Sequence, residues 1–372
     1  FFPMSELLIL ITSAAWLLKL FVQWGAERQS SNDDYPIQLG MRWHPLDGLM
    51  IIWLLIGCLA VLWSADKGVA FTELRTLFIE PMLFYGIFRT LKLNDKAIQQ
   101  MVKGLVFAGI LVSVIGLFLY ITGDGVITAE GGARRLSSVY GSPNNVGLLL
   151  GRIIPFVITG ALLLREKMQW LLIGISGLLM ITVVLTQSVG ALLIGVPAAI
   201  TAVLIATYGK KAFPALGLFA LIGILVTLGL TQVSTRFASL LDLSTGTNFI
   251  RIRVWESTLE ILSDYPLTGL GLDQFLPVFS GEYVRPDAIA DPDLSHPHNI
   301  VLDFWIRLGI LGVGWLILFM ITFWRNAVQI LYMERNPQKR ILLIGSIGAM
   351  TALIAHGMID NSIYVNDLVY IF

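Results

Sequence analysis

Charge, cysteine and histidine are all scarce in this chain. Only 13% of its 372 residues are charged, against about 25% in an ordinary soluble domain. That shortage excludes a water-soluble globular protein, whose outside must be covered by polar side chains. The single cysteine, Cys58, lies in an apolar run and excludes a disulfide framework or a thiolate metal cage. The 25 Lys and Arg balance the 25 Asp and Glu, so no net field draws in nucleic acid or an anionic surface. What the chain has in abundance is apolar sequence. It is 56% hydrophobic, with a mean hydropathy of +0.78, and its solvent is therefore a bilayer.

Apolar runs of about 20 residues predict ten membrane helices, near 5–24, 44–64, 71–91, 98–122, 145–164, 168–186, 189–207, 212–231, 298–324 and 340–358. Both ends of the sequence are apolar, so the expected fold class is an all-α integral membrane protein, a polytopic bundle of about 10–12 transmembrane helices. No removable signal peptide is expected ahead of the first run. Lys and Arg collect in alternate connections: Arg89, Lys92 and Lys96; Arg165 and Lys167; Lys210 and Lys211; Arg325, Arg335, Lys339 and Arg340. Those faces are predicted to be cytoplasmic. By parity, segments 123–144 and 232–297 face the periplasm or cell exterior. The organisation is then 1–231 as N-terminal membrane helices, 232–297 as a long outer loop and 298–372 as C-terminal membrane helices. A loop of that length, too rich in Trp, Phe, Tyr and Leu to be disordered, is expected to carry function.

Within the loop, Thr247 to Leu262 reads as an amphipathic interfacial helix capped by Asn248 and ended by Asp264-Tyr265-Pro266. Arg253 has Glu256 one turn on, whereas Arg251 has Trp255 there and is left as the unpaired cation. A guanidinium in a first helical turn suits a phosphate or diphosphate; snorkelling to lipid headgroups is the competing explanation. Further on come Asp287, Asp291, Asp293, Ser295, His296, Pro297, His298 and Asn299, then an apolar helix with Asp303, Arg307, Gly309, Gly312 and Gly314. Two of the four histidines thus sit at one membrane entrance. A neutral imidazole is a natural general base toward a sugar hydroxyl. The Asp/His cluster could also bind a divalent cation, but its aspartates lack a rigid spacing. Asp303 and Arg307 are expected to neutralise each other, and the glycines to let another helix approach.

The second outer segment, Gly131 to Asn145, contains Arg134-Arg135 on the face where positive charge is disfavoured, a violation that asks for an anion. Inside the membrane Arg75 is expected to pair with Glu80, while Arg152 could sit near either interface. His44 lies at a cytoplasmic end. His356, with Asp360 one turn on, is a second-rank site candidate at an outer end, beside His296, Asn299 and Arg152.

These residues resemble the O-antigen ligase and polymerase superfamily over about 130–360. His298-Asn299, nine residues, Gly309, two residues and Gly312 is similar to the signature at that family's catalytic histidine. Arg251 to Trp255 followed by Pro266-Leu267-Thr268-Gly269-Leu270-Gly271 resembles its Arg-x3-Trp and Pro-x2-Gly-x-Gly pattern, and Arg135 through Pro143-Asn144 its Arg and Pro-Asn segment. The chain departs from the family at Thr186-Gln187-Ser188-Val189-Gly190, where an arginine is expected and Val189 stands; Arg134, Arg135 or Arg152 are the candidates to supply that charge.

The resemblance implies a GT-C-like, multi-pass enzyme of the bacterial inner membrane with its site facing the periplasm. It implies that His298 activates an acceptor hydroxyl while Arg251, Arg135, Arg134 and Arg253 hold the diphosphate of a polyprenyl (undecaprenyl) diphosphate-linked glycan, without metal or cofactor. The acceptor would be a lipid A core sugar in a ligase or a glycan chain in a polymerase. Two further readings stand beside it: a metal-dependent transferase using polyprenyl-monophosphate sugars, and a secondary transporter, which should show paired repeats with broken helices near the midplane.

Overall fold

The computed structural model describes residues 4–29, 43–91, 93–124, 126–128, 132, 134–233, 235–238, 246–286 and 294–364. Asp287, Asp291 and Asp293 of the acidic stretch lie outside the described residues. The chain runs through α1 (Met4–Gln29), α2 (Pro45–Trp63), α3 (Lys67–Leu74), α4 (Glu80–Thr90), α5 (Asp95–Thr122), a two-stranded ribbon of β1 (Val126–Thr128) and β2 (Arg134–Leu136), α6 (Pro143–Leu163), α7 (Glu166–Thr186), α8 (Val196–Tyr208), α9 (Phe213–Val233), α10 (Thr235–Ala238), α11 (Gly246–Asp264), α12 (Phe275–Val278), α13 (Ile300–Met333) and α14 (Pro337–Gly357). Among the described residues seven helical stretches are long and apolar enough to cross a membrane. One of them, Gly190–Gly229, is 40 residues long. At about 1.5 Å per residue that is twice a hydrocarbon core of about 30 Å. Gly209, at φ 58°, breaks it beside Lys210 and Lys211, so α8 and α9 correspond to two predicted spans.

One predicted span looks different in the structure. The 71–91 run is divided into α3, a π-helical turn at Arg75–Ile79 and α4, and it carries Glu73, Arg75, Glu80 and Arg89. Helix starts follow their polar caps: His44 with Asp47 for α2, Asp66 for α3, Asn94 for α5, Ser142 for α6 and Asn336 for α14. Pro45, Pro143 and Pro337 stand at first helical positions, where a missing N–H is harmless.

Two cores result, with α14 packed between them. In the first, α2, α3, α4 and α13 bury an aromatic stack in which Trp53 lies 4.5 Å from Phe78 and Phe304 lies 5.0 Å from Tyr364. In the second, α6 is enclosed by α5, α7 and α8. Gly345 and Gly348 let α14 approach α6, since a Cβ at either would collide with Phe156 or Pro155. Large apolar side chains of α5, α7, α9 and α13 point outward, as a lipid solvent allows.

The described part of the long loop, chiefly residues 246–286, forms a packed layer. Arg251, Val254, Thr258, Ile261 and Leu262 form the buried stripe of α11, packed with Phe275 and Phe279 against Ile306 of α13. α11 begins at Gly246 (φ 73°), so Asn248 is not its cap and Arg251 falls in the second turn, past the free N–H groups. The glycines of the Pro-x2-Gly-x-Gly stretch and of α13 also act differently from expectation, because what approaches Gly309 is loop backbone and not a helix. Gly309 (φ 67°, ψ −165°) interrupts α13. There Ile310 N donates to Leu267 O at 3.1 Å, and Ile306 O accepts from Leu270 N at 2.7 Å. A helical hydrogen bond has been exchanged for two bonds to the loop.

Candidate active site

The end of α3 with the π-helical turn after it, the N-terminal end of α6, Asp273, the start of α13 and the turn after α14 line a cavity of about 570 Å³, within the range of ligand pockets. Its lining is mostly polar and includes His296, His298 and Asp360. His298 sits just before α13, held at φ 50°, a conformation uncommon for a non-glycine residue. The backbone on either side is tied down. Trp255 Nε1 donates to Pro297 O at 2.9 Å. Asn299 caps α13 through Val301 N and Leu302 N, and its Nδ2 donates to Met358 O at 3.0 Å, joining the start of α13 to the end of α14. Asn299 is thus a structural fastener.

Asp360 is the hub. Its Oδ1 lies 3.0 Å from His298 Nδ1 and 3.6 Å from His296 Nε2, and its Oδ2 lies 3.8 Å from His356 Nε2. Asn361 N donates to Oδ1 at 2.9 Å. Burial alone would raise the Asp360 carboxyl, but the surrounding imidazoles hold it well below its ordinary 3.8. It therefore stays ionised and orients His298 with the proton on Nδ1, leaving Nε2 bare. Burial pushes His298 below its ordinary 6.5; the Asp360 bond opposes this, and His296 and Arg251 reinforce it. His298 is accordingly neutral at pH 7. The ligand atoms of His296, His298 and Asp360 lie within 4.8 Å of one another, a spacing that could also hold a metal ion. Such an ion would take up the carboxylate that His298 uses.

The arginines separate sharply. Arg251 is 7% exposed and has no hydrogen bond or ion pair among the described residues. Burial lowers its pKa, and Asp360 pulls it back up, so this guanidinium lies within electrostatic reach of the dyad. Arg253 instead pairs with Glu256 at 2.7 Å and stacks on Phe249. Arg134 lies over Tyr120 and donates to its carbonyl at 2.9 Å. None of Arg251, Arg253 and Arg134 lines the cavity; Arg253 pairs within α11, and Arg134 packs on α5. Arg135 is buried and donates to Thr186 O and Asn144 Oδ1, each at 2.9 Å. It ties β2 to the segment where Val189 replaces the expected arginine, and it positions Asn144, which lines the cavity. Arg152 sits in the middle of α6, fully buried and donating to Ser362 O in the turn that carries Asp360.

Sequence reasoning missed Glu73 and Asp273, both in the cavity wall. Glu73 binds Arg307, which also takes Asp303 at 2.8 Å; the Asp303–Arg307 pair read from the sequence is a triad. The available signal was an acidic residue in an otherwise apolar run. Arg75 pairs with Glu80 at 2.8 Å, as its sequence suggests.

The fold and site together define a polytopic membrane protein with an imidazole–carboxylate dyad in a polar cavity at one end of the bundle. Residues 174–317 match the O-antigen ligase family, a match that supports a place in the O-antigen ligase and polymerase superfamily of glycan-processing membrane enzymes. The matched segment runs from α7 into α13 and includes Arg251, His298, Gly309 and Gly312; Arg134, Arg135, Arg152, His356 and Asp360 lie outside it. No curated protein matches the chain.

Proposed function

We propose that the protein is a glycosyltransferase that moves a glycan from a polyprenyl-diphosphate donor to an acceptor hydroxyl, and that it does so without a metal. The observation that carries this reading is the bare Nε2 of a neutral His298, held by ionised Asp360, with Arg251, which has no hydrogen bond among the described residues, nearby. The acceptor hydroxyl gives its proton to His298 Nε2 as its oxygen bonds to the anomeric carbon. The bond from that carbon to the diphosphate breaks, and the leaving diphosphate carries the electron pair. Arg251 is the group suited to the charge that develops there, where fixed cations lower a barrier most. Attack opposite the leaving group inverts the anomeric configuration. Alternating basic connections support a site on the periplasmic face of the inner membrane. Within the superfamily a ligase, with lipid A core as acceptor, and a polymerase, extending a glycan chain, differ only in the acceptor.

The His296, His298 and Asp360 cluster supports a second reading, a metal-dependent transferase. The test incubates purified protein with a polyprenyl-diphosphate-linked glycan, with and without lipid A core, in chelator. Core-dependent transfer that His298→Ala abolishes, in a protein that still folds, is the expected result. Chain lengthening without the core would make it a polymerase. Activity lost in chelator and restored by a divalent cation would establish the second reading, and near-normal turnover of His298→Ala would refute the first.

A further inference from the structure

The cavity holds a second group of charged side chains that the proposed chemistry does not use. Glu73 and Asp273 line it together with Thr72, Thr76 and Arg307. Arg307 is shared between Glu73 and Asp303 and stacks 4.9 Å over the Tyr364 ring. Arg75, also in the wall, is balanced by Glu80. Glu73 and Asp273 stand in the wall while Asp303 is buried behind Arg307 and balances it, so this part of the cavity is acidic. Glu73 is buried, and among the described residues its Oε2 has no hydrogen-bond partner; neither has Asp303 Oδ2. Asp273 is exposed to the cavity, makes no hydrogen bond among the described residues, and is held at φ 52° just past the Gly269–Gly271 turn that locks into α13. A buried acceptor left unmet is costly, so native proteins seldom keep one without a ligand to satisfy it.

The unmet atoms are carboxyl oxygens, for which a hydroxyl is a suitable partner. Diphosphate is excluded by charge. A bound cation is disfavoured by spacing, since among the described residues only the His296, His298 and Asp360 cluster brings three ligand groups close enough for a metal. Neighbouring hydroxyls and amides, from Thr72, Thr76 and Asn145, add hydrogen-bonding capacity.

We propose that this wall is the acceptor subsite, in which the carboxylates of Glu73 and Asp273 take hydroxyls of the acceptor sugar and turn its attacking oxygen toward His298. The proposal rests on the transferase reading above and separates the two substrates by charge: the saccharide takes the acidic wall, and the diphosphate stays with Arg251, which lies beside the dyad and outside the cavity lining. A phosphate on the acceptor sugar next to the attacking hydroxyl would be rejected.

The test uses full-length protein in detergent and a deacylated, dephosphorylated core oligosaccharide as probe, read by titration calorimetry and by steady-state transfer. Asp273→Asn, which keeps a residue type that tolerates positive φ, is expected to weaken oligosaccharide binding and to raise acceptor KM about ten-fold, while donor KM moves less than two-fold. Glu73→Gln should act in the same direction; because it also touches Arg307, its melting temperature is measured alongside. Unchanged acceptor KM in Asp273→Asn, or an equal rise for donor and acceptor, overturns the subsite while leaving the transferase reading standing. Oligosaccharide binding that both variants weaken, in a protein that transfers nothing, keeps the saccharide subsite and overturns the transferase reading. No binding and no transfer by the unaltered protein overturns both.

Discussion

Replacing Gly309 by alanine puts a Cβ into the carbonyl of Leu267 and the backbone of Thr268. Neither is a flexible side-chain end that could move aside. The residue must also keep φ 67° and ψ −165°, a region essentially restricted to glycine, where strain costs about 1–3 kcal/mol. Overpacking against fixed neighbours adds about 1–3 kcal/mol. The total, about 2–6 kcal/mol, should lower the melting temperature in detergent by at least about 5 °C. Gly314→Ala is the control, because nothing lies within 4 Å of a Cβ there, and alanine favours helix over glycine by about 1 kcal/mol. If Gly309→Ala melts with the unaltered protein, or with Gly314→Ala, the account of loop backbone locked into a broken helix is wrong. Transfer should fall with stability, because the 267–271 turn precedes Asp273 and the break follows Arg307.

The remaining expectations concern chemistry. A base must be neutral to accept a proton, and burial holds His298 below 6.5, so transfer should be on its plateau at pH 7 and fall as the pH drops through that lowered value; an acid limb centred above pH 7 in the rate profile would contradict this. Asp360→Asn removes the charge that favours protonated His298, so the limb should move to still lower pH while the rate drops about 10²–10⁴-fold, the scale of general-base catalysis; an unmoved limb would mean that Asp360 does not act through His298. Arg251→Lys should raise donor KM about ten-fold or more, because a point charge does not replace a fork of donors. Arg253→Lys, at a residue paired with Glu256, should stay within about two-fold, and equal effects at the two positions would remove the distinction drawn between them.

Which parts of this were readable beforehand follows from the range of the interactions involved. Membrane helices are legible because a bilayer demands long apolar runs, and even the break between α8 and α9 is marked by Lys210-Lys211. The contrast between Arg251 and Arg253 is legible because Glu256 lies one helical turn from Arg253, a local fact. Arg134 and Arg135 are adjacent and look alike as sequence, yet one packs on Tyr120 while the other reaches Thr186 and Asn144; only the fold separates them. Glu73 meets Arg307 across 234 positions, and no spacing rule reaches that far. His298 was visible from the scarcity of its residue type, whereas the convergence of three imidazoles on Asp360 depends on α13 and α14 meeting at their ends.

One consequence of that convergence concerns how the sequence can change over generations. The His356 ring lies where a side chain at position 190 would go: a Cβ added to Gly190 meets its Cδ2 and Nε2, and one added to Gly195 meets its Cβ. Positions 190 and 356 therefore share one volume. A larger residue at 190 is tolerable only where 356 has become smaller, and a lineage that gives up this histidine is freed from glycine at 190. The two sites should drift as a coupled pair, their permitted substitutions set by each other more than by the reaction they surround.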